Sequence, residues 1–219
     1  MKRSPSSTAT LTLLTAVGVY LLWDTPVVYP LKILVVFLHE ISHGLAAVAS
    51  GGSIDRIELS AAQGGVCWTR GGSRFLTASA GYLGSVGWGA LLLVAGARTR
   101  LDRALTALLG LFLAAITLLF VRSLFGFVYG LVAGAVLVAV ALKLPESASD
   151  ALLRLIGCVS CLYAVWDIAS DVLLRDVPGS DAHAIAAITY VPAALWGVVW
   201  IAIALSVSAL ALFLTARRA

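Results

Sequence analysis

Charged residues are scarce in this chain, and that scarcity excludes a soluble globular protein. Of 219 residues, 12% are charged and 61% are hydrophobic, whereas an average soluble chain is about 25% charged and about 45–50% apolar. Apolar runs recur along the whole length, which indicates an integral membrane protein rather than a soluble domain with one anchor. At about 20 residues per span there is room for six or seven helices but for no separate soluble domain. We therefore predict one membrane-embedded domain over residues 1–219.

Cysteine is also sparse, and its placement argues against a disulfide framework or a redox centre. The chain has three Cys. Cys158 and Cys161 have a C-x-x-C spacing, but they lie in an apolar helical run without the βαβ context of a redox motif. We interpret this pair as small packing residues, and Cys67 stands alone.

The net charge of +4 comes mainly from arginines in the predicted loops. No basic helix face is interleaved with aromatic residues, so nucleic-acid binding is not indicated. Basic loops that face anionic lipid headgroups explain this charge, and the predicted environment is the lipid bilayer, most simply that of the cell membrane.

The amino-terminal segment imitates a signal peptide. Basic residues at positions 2 and 3 precede an apolar run over about 11–23. No small-residue cleavage site follows this run, and residues 24–26 predict a turn instead. We therefore expect a retained first transmembrane helix.

The second predicted span, over about residues 27–50, contains His39-Glu40-Ile41-Ser42-His43. His-Glu-x-x-His is the zinc-protease signature: on a helix the two imidazoles share a face and can reach one ion. Glu40 would then lie beside a metal-activated water as its general base. Ionisable residues inside a membrane span are costly and usually functional, so a chance match is disfavoured.

Residues 53–75 form the longest polar segment of the chain. Two short runs, 54–59 and 66–70, are separated by a Gly pair. This pattern predicts a β-hairpin, with an ordinary surface loop as the alternative. The exposed edge of such a hairpin can pair with an extended peptide.

The sixth predicted span, over about 150–174, carries Asp167 and Asp171 four residues apart, so both face the same side. A catalytic zinc takes three protein ligands and keeps one open position. Asp167 lies deeper in the span and is the first choice as third ligand. Asp171 is the alternate third ligand or an orienting partner, and hydration of both at the interface is the competing interpretation.

Two further charged residues are candidate supporting residues of the site. Arg122 lies between the fourth and fifth predicted spans, where it either faces the interior or extends to the interface. Asp181 lies in the first turn of the last helical segment, where a carboxylate suits the helix dipole. His183 nearby is expected at the interface, and Pro192 is expected to kink the last span.

Five motifs occur in a characteristic order: His-Glu-Ile-Ser-His-Gly, Gly-Tyr-Leu-Gly-Ser, Val-Arg-Ser-Leu-Phe-Gly, Trp-Asp-Ile-Ala-Ser-Asp and Gly-Ser-Asp-Ala. Over about residues 12–214 the chain resembles the M50B-like membrane metallopeptidases, relatives of the site-2 proteases. The resemblance implies zinc, with His39 and His43 as ligands and Glu40 as the catalytic acid/base. The Leu-Asp-Gly pattern that supplies the third ligand in better-studied relatives is absent, so the third ligand stays open between Asp167 and Asp171.

The sequence thus predicts an all-α polytopic membrane protein with six to seven transmembrane helices and a short β-hairpin after the second. The predicted function is that of an intramembrane zinc metalloprotease acting on a membrane protein or transmembrane peptide. The alternative is a non-catalytic scaffold or small transporter that retains a metal site. Because intramembrane charge clusters in only two spans, the pattern favours a single metal site over the polar path across several spans that a transporter would need.

Overall fold

Helices make up most of the protein, as the apolar composition predicts. The structure is a computed structural model and describes residues 5–175 and 177–216. The helices are α1 Pro5–Leu21, α2 Tyr29–Ala49, α3 Arg74–Arg98, α4 Asp102–Phe120, α5 Leu124–Lys143, α6 Glu146–Ile168, α7 Asp181–Thr189 and α8 Ala193–Ala216. The strands are β1 Ser53–Leu59 and β2 Gly65–Arg70, which lie between α2 and α3.

Six helices in the described part of the chain are long and apolar enough to cross a membrane: α2, α3, α4, α5, α6 with its extension, and α8. The apolar part of α1, Thr8–Leu21, is shorter, so the predicted first span corresponds to a short helix. The structure confirms the predicted polytopic all-α fold.

The helix with the histidine motif lies at the centre of the bundle. In α2, 78% of the span is buried, against 22% in α8. Phe37, Leu38 and Ile41 are fully enclosed. Helices such as α8 instead expose apolar faces, as expected for surfaces in contact with lipid. The polar motif is therefore surrounded by protein.

The two strands form the predicted hairpin after α2. They pair antiparallel from Ser53 opposite Arg70 to Leu59 opposite Gly65, with an irregularity between Ile54 and Arg56. Gly52 lies at the base of the hairpin and must be a glycine, because a Cβ there would lie 2.8 Å from the Arg70 carbonyl oxygen.

The hairpin lies along α2. It begins just after the end of that helix, where the Ser73 amide donates to Ser50 Oγ over 2.9 Å. Its connecting loop returns to the beginning of the helix, where the Tyr29 hydroxyl donates to the Ala61 carbonyl over 2.6 Å. Ile57 is fully buried against the helical core. One face of the strand pair is thereby fixed to the helix that carries the motif.

The outer edge of β1 is closed by the turn between α4 and α5. Val121 forms a parallel bridge with Ile57, and the Arg122 amide donates to the Ile57 carbonyl over 3.0 Å. Ser123 Oγ accepts from the Leu59 amide and donates to the Leu59 carbonyl, both over 2.9 Å. The turn thus takes the place of a third strand.

The carboxyl end of α6 departs from the plain helix that the sequence predicts. Ala169–Leu174 continues it as a π-helical segment, in which the Arg175 amide donates to the Ser170 carbonyl over 2.9 Å. Such segments occur frequently at functional sites. The Val177 amide then donates to the Asp171 carbonyl over 2.7 Å and starts the loop that leads to α7.

The predicted last span is two helices rather than one kinked helix. Tyr190, with φ of 60°, ends α7 in the left-handed conformation, and Pro192 precedes α8. Proline disfavours a helical residue before it and lacks an amide hydrogen, which explains a full break at this position.

Candidate metal centre

The two motif histidines lie one turn apart on α2 and face the same cavity. Their ring centroids are 4.8 Å apart at an interplanar angle of 76°. His43 is 8% exposed and Glu40 between them is 5% exposed. The i, i+4 spacing therefore places both imidazoles on one buried side of the helix.

The carboxylate that meets these histidines is Asp181, at the start of α7. His39 Nε2 lies 3.2 Å from Asp181 Oδ2, and His43 Nε2 lies 3.2 Å from Asp181 Oδ1. The three donor groups lie within 4.8 Å of one another. Two imidazole nitrogens and one carboxylate oxygen form a donor set typical of catalytic zinc.

The space between these donors is large enough for an ion because α3 has a glycine there. A Cβ built on Gly81 would fall within bonding reach of His39 Nε2, His43 Nε2 and Asp181 Oδ2 together. The space that the glycine leaves beside the three donors is the hollow into which a metal would fit, and a side chain at this position would enter it. The residues present therefore fit a metal ion bound by all three donors.

The other ring nitrogen of each histidine is also engaged. His43 Nδ1 lies 2.6 Å from the Thr77 carbonyl, which can only accept, so Nδ1 carries the hydrogen. Ser85 Oγ donates to the Gly81 carbonyl over 3.0 Å and lies 3.4 Å from His39 Nδ1. Both contacts engage Nδ1, so Nε2 is the ring nitrogen that faces the hollow and Asp181, and a bond at the other nitrogen is what orients metal-binding histidines.

Glu40 lies beside the donor group and against the hairpin. A Cβ at Gly65 would lie 2.6 Å from Glu40 Oε1, so the first residue of β2 must be a glycine for the carboxylate to fit. The side chain is thus held between α2 and the edge of β2, next to the two histidines.

A cleft of about 840 Å³ opens onto the donor group, within the range of about 300–1,000 Å³ usual for ligand sites. One wall is the edge of β2, another is the end of α6 with the loop before α7. His39, Glu40, His43 and Asp181 line the cleft.

Asp167 and Asp171 line the same cleft but do not join the donor group in the described residues. Asp171 Oδ1 accepts from Arg175 over 2.6 Å, and its Oδ2 accepts from the Tyr82 hydroxyl over 3.3 Å. Asp167 is half-buried in the wall. The structure therefore brings Asp181 to the histidines and leaves both sequence-predicted third ligands beside them.

From the sequence, Asp181 is only a candidate supporting residue, because a carboxylate in the first turn of a helix is already explained by the helix dipole. It follows a loop that returns the chain from the end of α6 to α2, and such a return leaves no periodic pattern. The one signal that pointed to it was the Gly-Ser-Asp-Ala turn among the ordered motifs.

Arg122, the other candidate supporting residue, and His183, which was expected at the interface, lie outside the donor group. Arg122 donates to the Val121 and Leu119 carbonyls over 2.9 and 2.6 Å, at the end of α4. His183 Nδ1 lies 3.0 Å from Ser180 Oγ on α7.

Two groups outside the membrane spans have shifted pKa values. Burial would raise the pKa of Asp181, but the charge of His43 and hydrogen bonds with both histidines lower it below its usual range. Burial, with the nearby Glu40 charge, raises the pKa of the Cys67 thiol to about 12. Asp181 is therefore ionised and suited to a cation, whereas Cys67 stays a thiol and is not poised as a nucleophile.

Fold and site together define a multi-pass integral membrane protein with a buried His-His-Asp group. The family model of the Peptidase M50B-like proteins matches residues 12–211, so the chain belongs to that family. This confirms the resemblance inferred from the ordered motifs and suggests a membrane metallopeptidase. No curated protein and no solved structure matches the chain.

Proposed function

We propose that this protein is a zinc metallopeptidase that hydrolyses peptide bonds in membrane-embedded or membrane-proximal segments. The observation that carries the proposal is the convergence of His39, His43 and Asp181 on one hollow, with Glu40 beside it in an open cleft. Membership in a peptidase family supports the same reading.

In this proposal Asp181 is the third ligand in place of Asp167, the sequence-based choice. The reason is its distance of 3.2 Å to each histidine nitrogen. Asp171 is committed to Arg175 and Tyr82, and it supports the cleft wall rather than the ion.

The chemistry divides between the ion and the side chains. Zinc held by these donors supplies Lewis-acid activation of water and of a peptide carbonyl. Glu40 accepts the proton that the attacking water loses and delivers it to the leaving amine. The burial of Glu40 between α2 and β2 holds its carboxylate at the donor group for both transfers.

The cleft favours a substrate in extended conformation. A helix keeps its carbonyls in backbone hydrogen bonds, so a helical segment must unwind locally before attack. The outer edge of β2 lines the cleft through Gly65, Cys67 and Thr69. An extended peptide can pair with this edge through backbone hydrogen bonds.

Glu40→Gln tests the proposal in purified protein. We expect zinc content to stay at the wild-type level, because Glu40 is not a donor, and cleavage of a fluorogenic transmembrane peptide to fall by about 100-fold or more. Zinc is measured by mass spectrometry and cleavage by initial rate.

Wild-type rates in the Glu40→Gln variant would contradict the proposed mechanism. A wild-type protein that binds zinc but cleaves no membrane segment would instead indicate the non-catalytic scaffold.

A further inference from the structure

The turn between α4 and α5 covers the edge of β1, whereas the edge of β2 lines the cleft. We propose that Ser123 in this turn is a positioning residue for the peptidase site. It fixes the hairpin so that the edge of β2, and not that of β1, is presented to the substrate. This inference rests on the proposed function.

The contacts of Ser123 imitate one residue of a third strand. Its hydroxyl accepts from the Leu59 amide and donates to the Leu59 carbonyl, each over 2.9 Å. A Cβ at Gly126 would lie 2.7 Å from Ser123 Oγ, so a glycine one turn later leaves room for the hydroxyl. The side chain thus satisfies both backbone groups of a residue that has no further strand beside it.

These contacts also determine which backbone groups of β2 face the cleft. In an antiparallel pair, residues directly opposite each other turn their amides and carbonyls either toward each other or both outward. The Leu59 groups point outward to Ser123, and the Ile57 carbonyl points outward to the Arg122 amide. Their partners Gly65 and Cys67 therefore point outward on the opposite side.

That opposite side is the cleft, since Gly65 and Cys67 both line it. The same register places Gly65 against Glu40. A slip of one residue would reverse the alternation along β2 and turn these groups toward β1. Ser123 thus acts through the hairpin on the substrate edge and on the packing around Glu40, without touching the donor group.

The test compares Ser123→Ala and Ser123→Thr with wild type, and Ser147→Ala is the matched control because Ser147 is an exposed serine near another interhelical turn. Four quantities are measured for each full-length protein: zinc content, hydrogen exchange of amides 57–70, kcat and KM for the transmembrane peptide.

We expect Ser123→Ala to retain zinc, to exchange its hairpin amides about tenfold faster, and to lose about tenfold in kcat/KM, mainly through KM, because two hydrogen bonds are removed. Threonine restores the hydroxyl and should recover the wild-type values, and Ser147→Ala should match wild type throughout.

The outcomes separate the two proposals. If Ser123→Ala exchanges its hairpin amides faster but keeps the wild-type kcat/KM, Ser123 has only a structural role, and the positioning role is overturned while the proposed function stands. Unchanged hydrogen exchange of the hairpin amides would overturn the positioning role in the same way. Loss of zinc in Ser123→Ala would also overturn it, because the residue would then act on the donor group. Absence of cleavage in wild type would overturn the proposed function, and the positioning role with it.

Discussion

At Gly81 a missing side chain makes room for the proposed ion. A Cβ there would crowd His39 Nε2, His43 Nε2 and Asp181 Oδ2 and enter the space beside them. We expect Gly81→Ala to weaken zinc binding by more than about 100-fold, beyond the ~10–100-fold that loss of an outer partner costs.

Gly87→Ala is the matched control for this prediction. It lies on the same helix, and a Cβ there meets no atom within 4 Å. Zinc titration of both purified variants is the measurement. Equal affinity of Gly81→Ala and wild type would place the ion elsewhere.

At this scale the sequence predicts part of the candidate site. His39, Glu40 and His43 are adjacent along the chain, so a helical spacing alone predicts that they share a face. Asp181 reaches them only through tertiary structure, and a carboxylate at a helix start has a sufficient local explanation in the dipole. Asp167 was the first choice as third ligand because it lies within an apolar span, where a carboxylate is costly and usually functional.

At the scale of elements, Asp181 connects α7 to α2. Asp181→Asn removes the negative charge and replaces one of the two carboxylate oxygens by an amide nitrogen. Asp167→Asn makes the same change in the cleft wall, outside the donor group. We expect the first variant to lose zinc by more than about 100-fold and to exchange the amides of α7 faster, and the second to keep both properties near wild type.

Zinc titration and hydrogen exchange of residues 182–189 measure these effects. The reverse ranking, with zinc lost in Asp167→Asn and kept in Asp181→Asn, would restore the sequence-based ligand assignment.

Among the helices and strands, the sequence predicts those features that depend on a local pattern of residues. Two short runs around a glycine pair predicted the hairpin, because strand pairing over a short loop is a local event. The break at Tyr190 and the π-helical segment at Ala169–Leu174 did not follow from the pattern. Pro192 predicted only a kink where the chain breaks into two helices, and nothing in residues 169–174 distinguishes a π-helical segment from an α-helix.

At the scale of the whole molecule, one bound ion would connect α2, at the centre of the bundle, to the short α7. Binding to the native state alone stabilises a protein by mass action, about 2.7 kcal/mol at a ligand concentration of 100 Kd. For a chain of this size that corresponds to about 5–10 °C in Tm.

We therefore expect zinc to raise the Tm of the chelator-treated wild type in detergent by this amount, and to leave Gly81→Ala unchanged. Thermal unfolding followed by intrinsic fluorescence measures the shift. An equal shift in both proteins would indicate zinc binding at a second location.

The donors of the proposed site are far apart along the chain, with two in the second helix and one in the seventh. Chains are synthesised from the amino terminus, so a ribosome-bound chain has the two histidines and Glu40 long before Asp181 exists. The proposed site would thus be complete only after α7 has been synthesised. A partially inserted chain that lacks α7 would therefore hold two of the three proposed donors and could not form the proposed site.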